Sequence, residues 1–565
     1  MSYSNQADSI VQAISRGEVL PYITVEKQGR WVSEGLKEEL ALWDYNRSAD
    51  LPPILINAPT GSGKSTFVMR DLAEKAKQCG KYILLLSNRT TLALQQKHNL
   101  NQHSRGAPFG SMVLHGLNQF DNVLVYTYHS VEQFFSDQNL VRTHPIAAVV
   151  FDEVHFFSSD ATFNPYTARI FTSVLAQCRG CHRIYMSATP EDVRWLIAYE
   201  EQRLKNALRS SSNSVNFLVS ALHPVSAITE YVFPADYSYI NLHFMSDWDD
   251  TVARINASLD ETDDKWLIFT SSSDKGKEIK KQIGDQAEFV NAPKKERSST
   301  VFDQFARTER FNKRVLVTTS VLDNGVNFRD PQLKHVVIDS VDPIQTRQML
   351  GRKRVEESET VHVYILQKTV KDIKKICDSL ENDYKMLQHY RENPRYFLST
   401  NWGNLSADQQ QMFSSPTHNF SPSSYAPFQL ACMLSRLEDI KDHMMRDGED
   451  AFADEVCGWF GATLVREDVS VEPSLRDKAG ENVEAIFDRF AELSPMSEED
   501  LAELENKLKA TVQPLGVQGP TVREGKSRSV ANLNRVAEYF HLPFHCKKQN
   551  NQYHLSRTGS AAEQE

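Results

Sequence analysis

The sequence predicts an α/β protein: two tandem parallel-sheet domains followed by a mostly helical C-terminal region. Three observations predict it. Short apolar runs alternate with stretches long enough for helices through the first two thirds of the chain. These runs fall into two sets, divided by the polar, Ser-rich stretch from Glu201 to Asn216. Beyond Gln367 the apolar spacing changes to three and four residues, the period of a helix. A chain of 565 residues has room for several domains at roughly 150 residues each.

In chain order, residues 1–50 read as a helical lead-in. The first sheet domain, 51–205, takes strands at Ile54 to Ile56, Tyr82 to Leu86, Val123 to Tyr126, Ala147 to Phe151 and Ile184 to Met186. The second, 217–368, takes Trp266 to Phe269, Glu288 to Val290, Val315 to Thr318, His335 to Ile338 and Val361 to Ile365. A helical extension covers 369–405, because Ile373, Ile376, Leu380, Tyr384 and Leu387 share one helix face. Residues 406–427, rich in Ser, Gln, Asn and Pro, read as a linker, and 428–510 as an acidic helical segment. In 520–557 the stripe Val530, Leu533, Val536 and Phe540, then two short runs around a QNNQ turn, read as a small basic helix and hairpin.

Composition narrows the class. Charged residues make up 24% and hydrophobic ones 40%, which excludes wholesale disorder and a fibrous repeat. The apolar runs are far shorter than the roughly 18 residues of a spanning helix, and the polar start lacks a signal-peptide core, so the expectation is a cytoplasmic protein without a membrane partner. Seven scattered cysteines do not make a disulfide framework. Cys178 and Cys181 form one CxxC without a second pair at zinc spacing. The net charge of -11 is concentrated between Arg436 and Ala510, which holds 21 acidic and 9 basic residues. The remainder is close to neutral, so nucleic acid stays open as a partner.

The strongest chemical signal is ILINAPTGSGKSTFVM, Ile54 to Met69: an apolar strand, a glycine-containing loop, then a helix. Gly61 and Gly63 let the loop from Pro59 through Thr60 and Ser62 curl its amides inward, Lys64 reaches terminal phosphates, and Ser65, followed by Thr66, supplies a magnesium ligand. The second signal is AAVVFDEVH, Ala147 to His155, a buried strand that delivers two carboxylates at its carboxyl end. Asp152 is suited to hold magnesium, and Glu153 to orient and deprotonate the water that attacks a γ-phosphate.

The strings APTGSGKST, DEVH, SATP (Ser187 to Pro190), TTSVLDNGVNF (Thr318 to Phe328) and QMLGRKR (Gln348 to Arg354), in this order, resemble motifs I, II, III, V and VI of superfamily 2 DEAD/DEAH-box-like helicases. SNRTTLALQQ (Ser87 to Gln96), TYHS (Thr127 to Ser130) and IFTSSSDKG (Ile268 to Gly276) sit where looser motifs Ia, Ib and IV belong. The resemblance covers Pro52 to Gln367. It implies two RecA-like domains that clamp ATP and magnesium in their cleft while single-stranded or tailed duplex nucleic acid crosses both.

The resemblance also implies that His155, Ser187, Thr189 and Gln348 couple hydrolysis to movement, that Asp323 and Gly325 face the nucleotide, and that Arg352 and Arg354 stabilise the transition state. Arg354 stands one residue earlier than the family's usual QxxGRxxR spacing, and GRKR also fits a basic helix face. Ser320 replaces the Asp usual in DEAD-box proteins, and no DEAD-box Q motif precedes the phosphate loop. These departures, with a GRKR spacing similar to viral origin-binding helicases, favour DNA over RNA. The candidate phosphate contacts are Arg89, Thr90, Thr127, His129, Ser271, Ser272, Thr318 and Thr319, each also readable as a cap or strand-end residue. The expected activity is that of an ATP-dependent helicase or translocase. An RNA helicase, or a nucleotide-switched remodelling protein that does not unwind, are the alternatives. The basic module, with Tyr539, Phe540, Phe544 and Tyr553 interleaved, reads either as a nucleic-acid appendage resembling a winged helix or as a solvated face over an aromatic core.

Overall fold

Strands that are apolar on both faces must be covered on both faces, and the computed structural model shows this twice. It describes residues 9–87, 119–210, 226–291, 304–305, 308–319, 326–356, 359–413, 421–448, 450–461, 470–471, 475–512, 529–540, 542–549 and 552–557. The first sheet contains β1 (Tyr22–Glu26), β2 (Ile54–Asn57), β3 (Tyr82–Ser87), β4 (Gln119–Phe120), β5 (Val123–Thr127), β6 (Ile146–Asp152), β7 (His182–Ser187) and β8 (Ile228–Val232). Their spatial order is β1-β8-β2-β7-β6-β3-β5-β4, and only the β4–β5 pair is antiparallel. Alternation along the strands separates two cores. Leu55, Leu84, Val149, Phe151 and Tyr185 pack on one face, and Ile54, Ile56, Ile83, Val150 and Met186 on the other.

The chain forms two compact units, Met1–Asn241 with Asp264–Val363 and Lys368–Asp468, and Leu242–Asp263 with Tyr364–Gln367 and Val469–Glu565. Beyond β9 (Ile240–Met245), the first unit contains a second set of parallel strands: β10 (Lys265–Phe269), β11 (Ala287–Val290), β12 (Val315–Thr318) and β13 (Leu333–Ile338), ordered β11-β12-β10-β13. Strand β14 (Val361–Leu366) follows in sequence. These are tandem RecA-like lobes, each with its strands' carboxyl ends along one edge. Helix Val370–Glu392, opened by a capping box of Thr369 and Asp372, buries Ile373, Cys377, Tyr384 and Leu387. Helix Ala426–Asp447 packs against it.

In the second unit β15 (Ser470–Val471) pairs in parallel with His243 and Phe244 of β9. Helices Leu475–Ala491, Glu498–Val512 and Ser529–Tyr539 and the hairpin of β16 (Phe544–Gln549) and β17 (Gln552–Arg557) share one core of Val483, Phe487, Leu504, Leu508, Leu533 and Tyr553. Arg557 pairs with Glu484 at 2.6 Å and Asp488 at 3.0 Å, so acidic helix and basic hairpin answer one another's charge.

Four expectations are corrected. The lead-in 1–50 is not wholly helical, since YITVE forms β1, whose β-branched residues pair with β8. The residues of β8, assigned by sequence to the second domain, complete the first sheet between β1 and β2. In the 406–427 stretch, Ala407–Phe413 is a helix, because Met412 and Phe413 are buried and Phe413 packs against Tyr390, Phe397 and Trp402. The acidic segment includes the short strand β15 among its helices.

Candidate nucleotide site

The loop after β2 is built by its glycines. Gly61 and Gly63 have φ of +84° and +81°, in the left-handed region that a side chain resists. The loop then enters a helical stretch at Lys64. The Ser62 carbonyl accepts from the Val32 amide (3.0 Å), and the Ala58 amide donates to the Ser187 carbonyl (3.1 Å), which ties the loop to the lead-in and to the end of β7. Lys64 is buried, and its Nζ donates to the carbonyls of Ala58 (2.7 Å) and Pro59 (3.1 Å). Burial pushes its pKa down, while Glu153 and Asp152 oppose that shift. Ser65 and Thr66 are exposed at the helix start.

Strand β6 ends on Asp152, which is buried, and Tyr128 Oη donates to its carbonyl at 2.9 Å. Glu153 has φ of +52°, a left-handed conformation that costs a non-glycine residue about 1–2 kcal/mol. It is held there by its own amide on Asp152 Oδ1 (3.1 Å) and by the Val154 amide on the Met186 carbonyl (3.0 Å). Burial alone would raise the Glu153 pKa; His155, Lys64, Arg352 and Arg354 outweigh it and hold the carboxyl below its ordinary range. His155 Nδ1 lies 3.4 Å from Glu153 Oε2 and 3.1 Å from Ser187 Oγ. Ser187 Oγ also accepts from the Thr189 amide (3.0 Å), and Thr189 Oγ1 accepts from Gln348 Nε2 (2.8 Å). The four residues expected to couple hydrolysis to movement therefore form one chain of polar contacts between the two lobes.

The QMLGRKR segment departs from the basic-helix reading. Helix Pro343–Leu350 ends at Gly351, a turn follows at Gly351 and Arg352, and Lys353 then bridges to Phe328: the Phe328 amide donates to the Arg352 carbonyl (2.7 Å), and the Arg354 amide donates to the Phe328 carbonyl (2.9 Å). Arg352 Nη2 lies 4.0 Å from Glu153 Oε1. Arg354 Nη1 is buried without a hydrogen-bond partner and lies 3.6 Å from where a Cβ on Gly61 would stand. Burial, then the neighbouring Arg352 charge, pull the Arg354 pKa down to about 10. Lys353 goes elsewhere, to the Asp330 carbonyl (2.9 Å) and Glu359 (2.7 Å). A Cβ on Gly351 would meet Thr60 Oγ1 at 2.6 Å, so the second lobe's segment rests directly on the phosphate loop.

The remaining candidates lie at strand ends with partners of their own. Thr127 ends β5 and exchanges hydrogen bonds with Ser130, and exposed His129 faces Asn164 (3.3 Å). Ser271 donates to Asp339 (2.6 Å), Ser272 caps helix Ser273–Ile283, Thr318 Oγ1 donates to the Thr319 carbonyl, and Thr319 donates to Asn291. Arg89, Thr90, Asp323 and Gly325 lie outside the described residues. One contributor is missing from the sequence reading: Trp31, 43% exposed, places its ring edge 3.3 Å from a Cβ on Gly63 and carries the Arg30 guanidinium over its face at 4.9 Å.

Two RecA-like lobes joined by these motifs bring the residues of the candidate nucleotide site together. Residues 27–192 match the family model of the type III restriction enzyme, res subunit. No curated protein matches the chain. Among solved structures it is similar to the Mycobacterium smegmatis helicase Lhr bound to ssDNA and AMP-PNP, at 17% identity over 60% of this chain and 46% of that one, with a TM-score of 0.39. It is similar to S. cerevisiae Dbp5 bound to RNA and ADP BeF3 at 15% identity, 56% and 80% coverage and a TM-score of 0.37. For the E. coli DExH-box NTPase HrpB the values are 14%, 91%, 59% and 0.37. The chain spans less than half the length of Lhr.

Proposed function

We propose that the protein hydrolyses ATP with magnesium in the cleft between its RecA-like lobes and uses the cycle to move along or unwind nucleic acid, with DNA preferred. The observation that carries this reading is the convergence of Lys64 and Glu153 from one lobe with Arg352 and Arg354 from the next, the last with an unsatisfied buried donor beside the glycine loop. Such a donor set fits a polyphosphate. Ser65 and Asp152 are hard oxygen donors, which fits magnesium held by one or two side chains together with phosphates and water; bound there, the ion would neutralise phosphate charge.

Within this reading, Glu153 orients the attacking water and takes its proton. Lys64 binds the terminal phosphates, and Arg352 and Arg354 stabilise the charge that develops as the γ-phosphoryl group leaves ADP. The face of Trp31 offers a platform to the base. Thr127, His129, Ser271, Ser272, Thr318 and Thr319, on strand ends of both lobes, contact phosphate and sugar. The match to a restriction-enzyme family model favours DNA.

The test is ATP turnover with single-stranded DNA and with single-stranded RNA, followed by unwinding of a tailed duplex. Stimulation by DNA is expected to exceed that by RNA. Glu153→Gln should keep nucleotide affinity and lose about 10²- to 10⁴-fold in turnover. Robust hydrolysis by that variant would overturn the assignment of the base.

A further inference from the structure

Helix Ala426–Asp447 is fixed to the first lobe by buried polar contacts. Tyr425 donates to Glu200 Oε1 at 2.9 Å, and the Ser423 and Thr167 hydroxyls meet at 2.6 Å. From that base Arg436 reaches two aspartates. Its Nη1 donates to Asp192 of the first lobe, and its Nη2 lies 3.5 Å from Asp342 Oδ1 of the second. Asp192 follows SATP by two residues, just before helix Val193–Ser210. Asp342 caps helix Pro343–Leu350 by accepting the Ile344 amide at 3.0 Å. The same stretches also meet through Gln348 with Thr189 and Arg347 with Glu191.

The two aspartates oppose one another. Burial raises the Asp342 pKa, Arg436 lowers it, and the Asp192 charge raises it further. Without Arg436, only the smaller effects of the Ile344 amide and Arg347 would offset two like charges at this poorly solvated edge of the lobe interface, which drives the lobes apart. The guanidinium has capacity to spare, since Nη2 has no hydrogen-bond partner.

We propose that Arg436 is a positioning residue of the ATPase: seated on the first lobe, it neutralises the Asp192–Asp342 pair and so holds helix Pro343–Leu350 where Arg352 and Arg354 face Glu153. This rests on the ATPase reading above. Arg436 touches no reacting group; it acts through the helix that carries the arginines.

The test is a double-mutant cycle read as kcat and KM for ATP in the full chain with nucleic acid present. Arg436→Met should lower kcat about 10-fold with KM within about 3-fold, and Arg436→Met with Asp342→Asn should recover to the level of Asp342→Asn alone. A merely structural role would not give that rescue. Unchanged kcat in Arg436→Met, or a loss that Asp342→Asn does not relieve, overturns the proposal. If Arg436→Met does not fold, Asp342→Asn alone decides: it keeps the cap acceptor and should lower kcat about 3-fold, and wild-type turnover overturns the inference. Glu153→Gln run in parallel separates the two claims, because only its full activity would remove the ATPase reading itself.

Discussion

Glu153 sits in a left-handed backbone conformation, and this strain aims its carboxylate. A carboxyl held below its ordinary pKa stays ionised in mildly acidic solution, so loss of turnover on acidification should begin below the ordinary carboxylate range; a pH–rate profile checks this. Gly351 gives a second residue-scale prediction. In Gly351→Ala the new methyl group would stand 2.6 Å from Thr60 Oγ1 and 3.2 Å from the Arg347 carbonyl, and the backbone atom cannot turn aside. Turnover should fall about 10-fold or more while the circular dichroism spectrum is preserved. That Lys64, Asp152 and Glu153 come together was legible in the sequence, because each closes a strand-and-loop pattern whose residue types and spacing are local. Trp31 and the Gly351–Thr60 contact were not, since they depend on distant segments being brought together.

Among the elements, the segment after helix Pro343–Leu350 explains the early arginine. Here the helix gives way to a turn at Gly351 and Arg352 and then to a bridge of Lys353 with Phe328, which sends Lys353 to Asp330 and Glu359 and leaves Arg352 near Glu153 and Arg354 near Gly61. Lys353→Ala and Arg354→Ala should therefore separate cleanly. The first removes one partner of a buried ion pair with Glu359 and should cost about 3 kcal/mol of stability, measured by denaturant melts. The second should leave stability nearly unchanged and lower kcat on the order of 10³-fold. Central strands such as β3, β6 and β7 were legible because burial on both faces leaves continuous apolar runs. The edge strand β1 has no buried residue, and nothing local in β8 tells which sheet it joins.

At the scale of the whole molecule, the uneven charge of the sequence has a structural counterpart in the second unit. Acidic helix Leu475–Ala491 and basic strand β17 meet through Arg557, and the core from Val483 to Leu555 is continuous beneath them. A fragment of residues 475–557 should fold by itself with one cooperative thermal transition, seen by circular dichroism; a broad, non-cooperative trace would show that this core needs the rest of the chain. The helical layer of the first unit differs, because Tyr425 and Ser423 bond directly to lobe residues.

Strand β8 lies between β1 and β2, and among the described residues β1 has no other neighbour in its sheet. A ribosome makes Tyr22 long before Val232, so the earliest strand to emerge is among the last of its sheet to find a seat. The newborn lobe carries an open edge at β2 until β8 arrives, and a nascent-chain chaperone has that interval in which to act.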